Sequence, residues 1–241
     1  MNTDPLNLTS GFAVIGHRGA AGLAPENTLP SLQIALGMGC RGIELDVHRV
    51  VDANGLFRLG VIHDERLDRT TNRRGLVANF TAEALSAVDA GNGAGVPLLD
   101  EVVRLIEQPA ETLVNIELKG KNTAAPTAAF LDQHPELQAL VSSFDHDELR
   151  HFRRLDSGTA VAPLFSRKRR NLLDTAHELS AASVNVAYPM VDKPLLETCK
   201  EAGYPVLTYT VNHPEDAQRM KSLGVAGIFT DRPDLMMQLQ A

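Results

Sequence analysis

The chain has 241 residues, 44% of them hydrophobic, enough to bury one sizeable core, and its length fits one α/β barrel as well as it fits two small domains. Thirty acidic against 23 basic residues give a net charge of −7, which excludes a bulk electrostatic grip on nucleic acid and leaves any anionic substrate to be held locally. Residues 1–8 lack the basic start and apolar core of a secretion signal, and nothing approaches the ~20 apolar residues of a membrane span.

In chain order, the first apolar run, 12–16, ends at His17-Arg18-Gly19. Pro25-Glu26-Asn27-Thr28 then opens a helical run with Pro30 in its first turn. The run 42–47 is followed by Asp52-Ala53-Asn54-Gly55, a strong turn signal, and by a second run, 59–62, that ends at His63-Asp64. A hairpin is therefore expected where a regular barrel would place a helix. Residues 64–97 are polar and Gly-rich with one short helical piece at 82–88, and they read as an insertion over one barrel rim. Asp100 is expected to cap a helix over 101–106, and Gly203 and Gly224 to close helices over 194–201 and 214–223. The remaining apolar runs, 113–118, 139–143, 160–165, 183–187, 206–211 and 226–229, alternate with helical patterns, which predicts a parallel sheet. Nine runs are one more than an eight-stranded barrel needs. The expectation is one domain over 1–241, an α/β (β/α)8 TIM barrel distorted between Glu44 and His63, with its small insertion after the third strand.

Charged residues within these strands carry the chemistry. In Gly42-Ile43-Glu44-Leu45-Asp46-Val47 the two carboxylates share one face and the apolar residues the other. Since the apolar face of a barrel strand meets the helices, Glu44 and Asp46 point inward or to the rim. Glu117 and Lys119 share a face by the same rule. Adjacent buried anions cost several kcal/mol unless a cation neutralises them. Three carboxylates make a hard, all-oxygen site suited to Mg²⁺ or Ca²⁺, with Mn²⁺ a further candidate. A buried salt-bridge network of Glu44, Asp46, Glu117 and Lys119 is the plainer alternative. His17 and His63 directly follow strands, where barrels put catalysis, and two imidazoles suit acid–base work on a phosphoryl group at neutral pH. Arg18 and Lys119 can meet phosphate oxygens. His48 reads as structural. The basic run Ser166-Arg167-Lys168-Arg169-Arg170 reads as a solvated helix start, and Cys40 and Cys199 as free thiols packed like small hydrophobes.

His17-Arg18-Gly19, Pro25-Glu26-Asn27-Thr28, Glu44-Leu45-Asp46, His63-Asp64, Ile116-Glu117-Leu118-Lys119, Ser143-Phe144, Thr210-Val211-Asn212 and Gly227-Ile228-Phe229-Thr230-Asp231-Arg232-Pro233, in this order, resemble the glycerophosphodiester phosphodiesterase family over nearly the whole chain. The resemblance implies a distorted barrel that hydrolyses glycerophosphodiesters to glycerol 3-phosphate and an alcohol. It matches Glu44, Asp46 and Glu117 to ligands of one divalent cation, His17 and His63 to the acid–base pair, and Arg18 and Lys119 to phosphate contacts. The family commonly carries Trp just before Thr-Val-Asn. Tyr209 stands there in this chain, and with Phe144 it is expected to line the glycerol pocket. The implied partner is a small-molecule substrate, without nucleic acid or stable membrane association, in a cytoplasmic enzyme of lipid and glycerol metabolism. The attacking group stays open between water and the substrate's own 2-hydroxyl, as does which histidine is acid and which base. Other readings are a lysophospholipase D or sphingomyelinase D-like enzyme of the same superfamily and a non-catalytic barrel.

Overall fold

The computed structural model describes Leu8 and residues 11–107, 111–167 and 171–240. Strand β1 (Ala13–Gly16) leads to helix α1 (Leu29–Gly37), capped as expected: the Thr28 hydroxyl accepts from the Ser31 amide, and Pro30 lies in the first turn. Strands β2 (Gly42–Val51) and β3 (Phe57–Val61) form an antiparallel hairpin with Val47 opposite Val61. Its turn is built on Asp52, whose Oδ1 accepts from the Asn54 and Leu56 amides at 2.9 Å each, while Oδ2 accepts from Arg58 Nε at 3.1 Å.

The chain continues through α2 (Ala82–Ser86), α3 (Leu99–Val103), β4 (Leu113–Leu118), α4 (Ala124–Gln133), β5 (Gln138–Ser143), α5 (His146–Leu155) and β6 (Ala160–Phe165). It ends with α6 (Leu172–Glu178), β7 (Val184–Ala187), α7 (Lys193–Glu201), β8 (Val206–Tyr209), α8 (Pro214–Leu223), β9 (Gly227–Thr230) and α9 (Pro233–Met236). Among the described residues, eight parallel strands pair in the order β1-β9-β8-β7-β6-β5-β4-β2, and β1 returns to β2 to close the barrel. Strand β3 hangs from β2 outside this ring, so the ninth apolar run is the outer arm of the expected hairpin.

Side chains separate by strand alternation. Ala13, Ile15, Leu113, Leu140, Ala162, Leu207 and Phe229 fill the barrel interior, while Val14, Ile43, Leu45, Val114, Ile116 and Val141 pack outward under the helices. Residues 64–97 add a third cluster around Leu67, Val77, Leu85 and Val96, reached from the hairpin through Val50 and Ile62. The helix expected at 82–88 is α2, which ends at Ser86.

The cap of α3 differs from expectation. Asp100 lies inside the first turn, and the Glu101 carboxylate reaches back to the Leu98 amide at 2.9 Å, so the helix begins one residue before Asp100 and ends at Val103. Gly224 closes α8 in the left-handed conformation, and Gly203, also left-handed, follows α7 two residues on. Both cysteines are buried and free, and burial pushes the Cys40 thiol up to about 12 and the Cys199 thiol to about 11. No helix among the described residues is long and apolar enough to cross a membrane. Of the basic run at 166–170, Ser166 and Arg167 are exposed, and the other three lie outside the described residues.

Candidate active site

The parallel register of β2 and β4 sets Glu44 beside Asn115 and Asp46 beside Glu117. All four share the inward face, since Ile43, Leu45, Ile116 and Leu118 pack outward. The three carboxylates are buried, and one oxygen from each lies within 4.8 Å of the others.

The loop after β1 wraps this cluster. Arg18 adopts the left-handed conformation, with φ of 52°, and donates its amide to Glu44 Oε2 at 2.8 Å. Gly19 follows at φ of 83°, packed so closely on the Ser31–Leu32 backbone that any side chain would collide. Asn27, also left-handed, grips Asp46 twice: its Nδ2 donates to Asp46 Oδ2 at 2.8 Å, and its Oδ1 accepts from the Asp46 amide at 3.2 Å.

Two cations face the cluster. Arg18 Nε is 3.4 Å from Asp46 Oδ2, and Lys119 Nζ is 3.2 Å from Asp46 Oδ1 and 2.5 Å from Glu117 Oε1. The salt bridge foreseen as the plainer alternative is therefore present in part, between Lys119, Asp46 and Glu117, yet it does not balance the site: Glu44 stands outside it, and its Oε1 is buried without a hydrogen-bond partner. Burial, reinforced by the Asp46 and Glu117 charges, pushes Glu44 well above the usual carboxylate range, and burial with the Asp46 charge pushes Glu117 to about 7. Burial acts on Asp46 in the same sense, but Lys119 and Arg18 outweigh it and hold that carboxyl low.

Each of the two histidines donates to or shares a proton with a carboxylate. His17 Nδ1 is 2.6 Å from Asp231 Oδ1, and Asp231 Oδ2 accepts from Asn212 Nδ2 at 2.6 Å. His63 Nδ1 is 2.6 Å from Asp64 Oδ1, and Arg69 Nε donates to Asp64 Oδ2 at 2.6 Å. In both rings Nδ1 is engaged and Nε2 is left for chemistry. His17 Nε2 sits 3.9 Å from Glu44 Oε2. Burial lowers the His63 pKa below its ordinary value. His48 is structural, as expected: its ring meets the His63 carbonyl through Nε2 at 3.1 Å.

A cavity of about 190 Å³ joins these groups at the C-terminal ends of the strands, lined by every side chain nominated above from the sequence except Asp46, which is buried beneath it. Phe144 and Tyr209 form one wall, edge to face with ring centroids 5.8 Å apart. The Tyr209 hydroxyl is buried without a hydrogen-bond partner, and burial raises its pKa. Glu26, Asn27, Asp64, Arg69, Asn212 and Asp231 received no role from the sequence. All but Arg69 stand in the motifs that carry the resemblance, but their partners were not read: Arg69 meets Asp64 across five positions and Glu26 across 43, and Asp231 meets His17 across 214.

The family model described as the glycerophosphoryl diester phosphodiesterase family matches residues 17–235. The chain belongs to this family. A glycerophosphodiester phosphodiesterase of Caldanaerobacter subterraneus subsp. tengcongensis is 35% identical, over 94% of this chain and 96% of its own length. Another from Bacillus altitudinis is 33% identical over 94% and 97%. Among solved structures, an Oleispira antarctica phosphodiesterase in complex with its product sn-glycerol-3-phosphate superposes with a TM-score of 0.87 at 29% identity, covering 95% of this chain and 97% of that one. A glycerophosphodiester phosphodiesterase from Agrobacterium tumefaciens gives 0.79 at 27% identity, over 94% and 99%. Like the family's other members, the chain is a phosphoric diester hydrolase on a TIM barrel.

Proposed function

We propose that the chain hydrolyses glycerophosphodiesters to sn-glycerol 3-phosphate and an alcohol, with a divalent cation held by Glu44, Asp46 and Glu117 and with His17 and His63 as the acid–base pair. The observation that carries this reading is a cluster of three buried carboxylates, two of which, Glu44 and Glu117, line one cavity with two carboxylate-anchored imidazoles.

The donor set fits such an ion. It is all oxygen, it suits Mg²⁺ or Ca²⁺ and also Mn²⁺, one oxygen from each carboxylate lies within 4.8 Å of the others, and Glu44 Oε1 is buried without a hydrogen-bond partner. With the Glu44 and Glu117 carboxyls pushed up, the three groups are not all ionised without an added cation; a dication would let all three ionise and, with Lys119 and Arg18, would leave one net positive charge to meet a phosphodiester. When bound, the ion supplies Lewis acidity and charge neutralisation at the phosphoryl oxygens.

The protein's own residues do the rest. Arg18 and Lys119 bind and orient the phosphate, the first as a planar fork and the second as a point charge. With Nδ1 held by Asp231 and Asp64, each imidazole presents Nε2 to the cavity: one takes the proton from the attacking hydroxyl and the other delivers a proton to the leaving alkoxide. The attacking group is water, or the substrate's 2-hydroxyl, whose attack gains from proximity and expels the alcohol to leave a cyclic glycerol phosphate that water then opens to sn-glycerol 3-phosphate. Phe144 and Tyr209 close the side of the cavity against the glycerol moiety. We also read residues 1–241 as a single barrel domain, with 64–97 as its insertion, acting in the cytoplasm on dissolved substrate.

The test is a head-group panel of glycerophosphocholine, glycerophosphoethanolamine, glycerophosphoglycerol and glycerophosphoinositol, assayed with Mg²⁺, Ca²⁺ or Mn²⁺ and with EDTA. Expected is sn-glycerol 3-phosphate release that EDTA abolishes and one of the metals restores. No hydrolysis with any of the three ions, or hydrolysis indifferent to EDTA, would overturn the proposal.

A further inference from the structure

Arg69 belongs to the insertion and not to the barrel. Its backbone is pinned by the short loop that the Arg66–Leu76 bridge closes, and by Leu67, which is fully buried beneath it. From there its guanidinium makes four charge-assisted hydrogen bonds to two carboxylates. It donates to Asp64 from Nε at 2.6 Å and Nη2 at 3.0 Å, and to Glu26 from Nη1 at 2.9 Å and Nη2 at 2.8 Å. Each carboxylate holds one site residue in turn: Asp64 Oδ1 is 2.6 Å from His63 Nδ1, and Glu26 Oε1 accepts from Arg18 Nη1 at 2.8 Å.

We propose that Arg69 is a positioning residue that aligns His63 and Arg18 together, an inference that rests on their reading as acid–base and phosphate-binding groups. Half-exposed ion pairs contribute little to stability, and the Arg69 side chain is 49% exposed, so folding alone does not account for four directed bonds. What a planar fork bridging two carboxylates fixes is direction. On one side Arg69 stops Asp64 from rotating, and Asp64 keeps the His63 ring turned with Nε2 toward the cavity. On the other it shares the charge of Glu26, which would otherwise draw the Arg18 guanidinium away from a phosphate.

The test is steady-state kinetics on the best substrate of the head-group panel with the activating metal, for the wild type, Arg69→Met, Arg69→Lys, Arg69→Ala and Arg69→Met combined with Glu26→Gln. Arg69→Met is expected to lower kcat/KM by roughly 10- to 100-fold, the scale of a small misplacement of catalytic groups, through both a lower kcat and a higher KM. Adding Glu26→Gln, which removes the uncompensated charge beside Arg18, should restore KM and leave kcat low. Arg69→Lys, a single ammonium unable to span both carboxylates, should recover only part of the loss. Guanidinium added to Arg69→Ala should restore activity, because the site opens to solvent. Arg69→Met within about twofold of wild type would overturn the proposal, as would a loss that tracks a fall in Tm and ignores both Glu26→Gln and guanidinium. Should the wild type cleave none of the four head-group substrates with any of the three ions, the functional reading fails by itself. Imidazole ¹⁵N spectra then decide the role of Arg69: one Nδ1-protonated tautomer of His63 in the wild type and a mixture in Arg69→Met support it, and identical spectra sink it.

Discussion

His17 and His63 sit in nearly the same local arrangement, each with Nδ1 2.6 Å from a carboxylate, yet they are anchored in different parts of the molecule. The His17 partner, Asp231, follows the closing strand β9 and is fixed by Asn212, which follows β8, so this half of the pair belongs to the barrel itself. The His63 partner, Asp64, is fixed by Arg69 from the insertion, whose apolar cluster is separate from the barrel core. The difference teaches that closing a barrel supplies one rigid half of an acid–base pair, and the second half depends on how well an added segment is packed.

The largest effect expected breaks the pair outright. His17→Ala and His63→Ala should each lower kcat by about 100- to 10,000-fold, the range for general acid–base groups, with little change in Tm; retained activity in the double variant, measured by sn-glycerol 3-phosphate release, would refute the assignment. A smaller effect separates the two anchorages. Leu85 in the insertion and Leu113 in the barrel interior are both fully buried, and Leu→Ala at such sites costs about 2–5 kcal/mol. At matched loss of stability in urea titrations, Leu85→Ala should lower kcat several-fold more than Leu113→Ala, because only the insertion carries the His63 anchor. Equal losses would mean that the insertion does not set the site.

The smallest effect is a titration. Burial lowers the pKa of His63 below the ordinary imidazole value of 6.5, so the folded state takes up this proton later than the unfolded chain as the pH falls. The sign follows: the group adds nothing to stability where both states are neutral, and it disfavours the fold once the pH drops below 6.5. An NMR midpoint for His63 at or above 6.5 would contradict the packing described for the insertion side.

Much of this was legible in the sequence because short parallel strands, buried on both faces, write their alternation plainly. Glu44 and Asp46, placed between Ile43, Leu45 and Val47, leave only one inward face for two carboxylates, and Asp52 through Gly55 spells out the hairpin that displaces a barrel helix. The second layer was not legible. Asp231 meets His17 across 214 positions and Arg69 meets Glu26 across 43, and no local pattern records which distant polar side chains the fold will bring together. The cap of α3 failed for a smaller reason: Asp100 and Glu101 stand side by side, and only the longer side chain reaches back to the Leu98 amide.

The hairpin of β2 and β3 also works as a ruler. Asp46 ends the part of β2 that carries the carboxylates, and His63 lies two residues beyond Val61, which pairs with Val47. The spacing between metal-side and proton-side groups is thus counted out by the residues around the Asp52 turn. Side chains swapped at the exposed tip, such as Leu56 or Phe57, leave that count untouched. A deletion within the paired strand would shift it by one position and turn its side chains to the opposite face, so the length of the paired segment, more than the identity of the tip residues, sets where His63 stands.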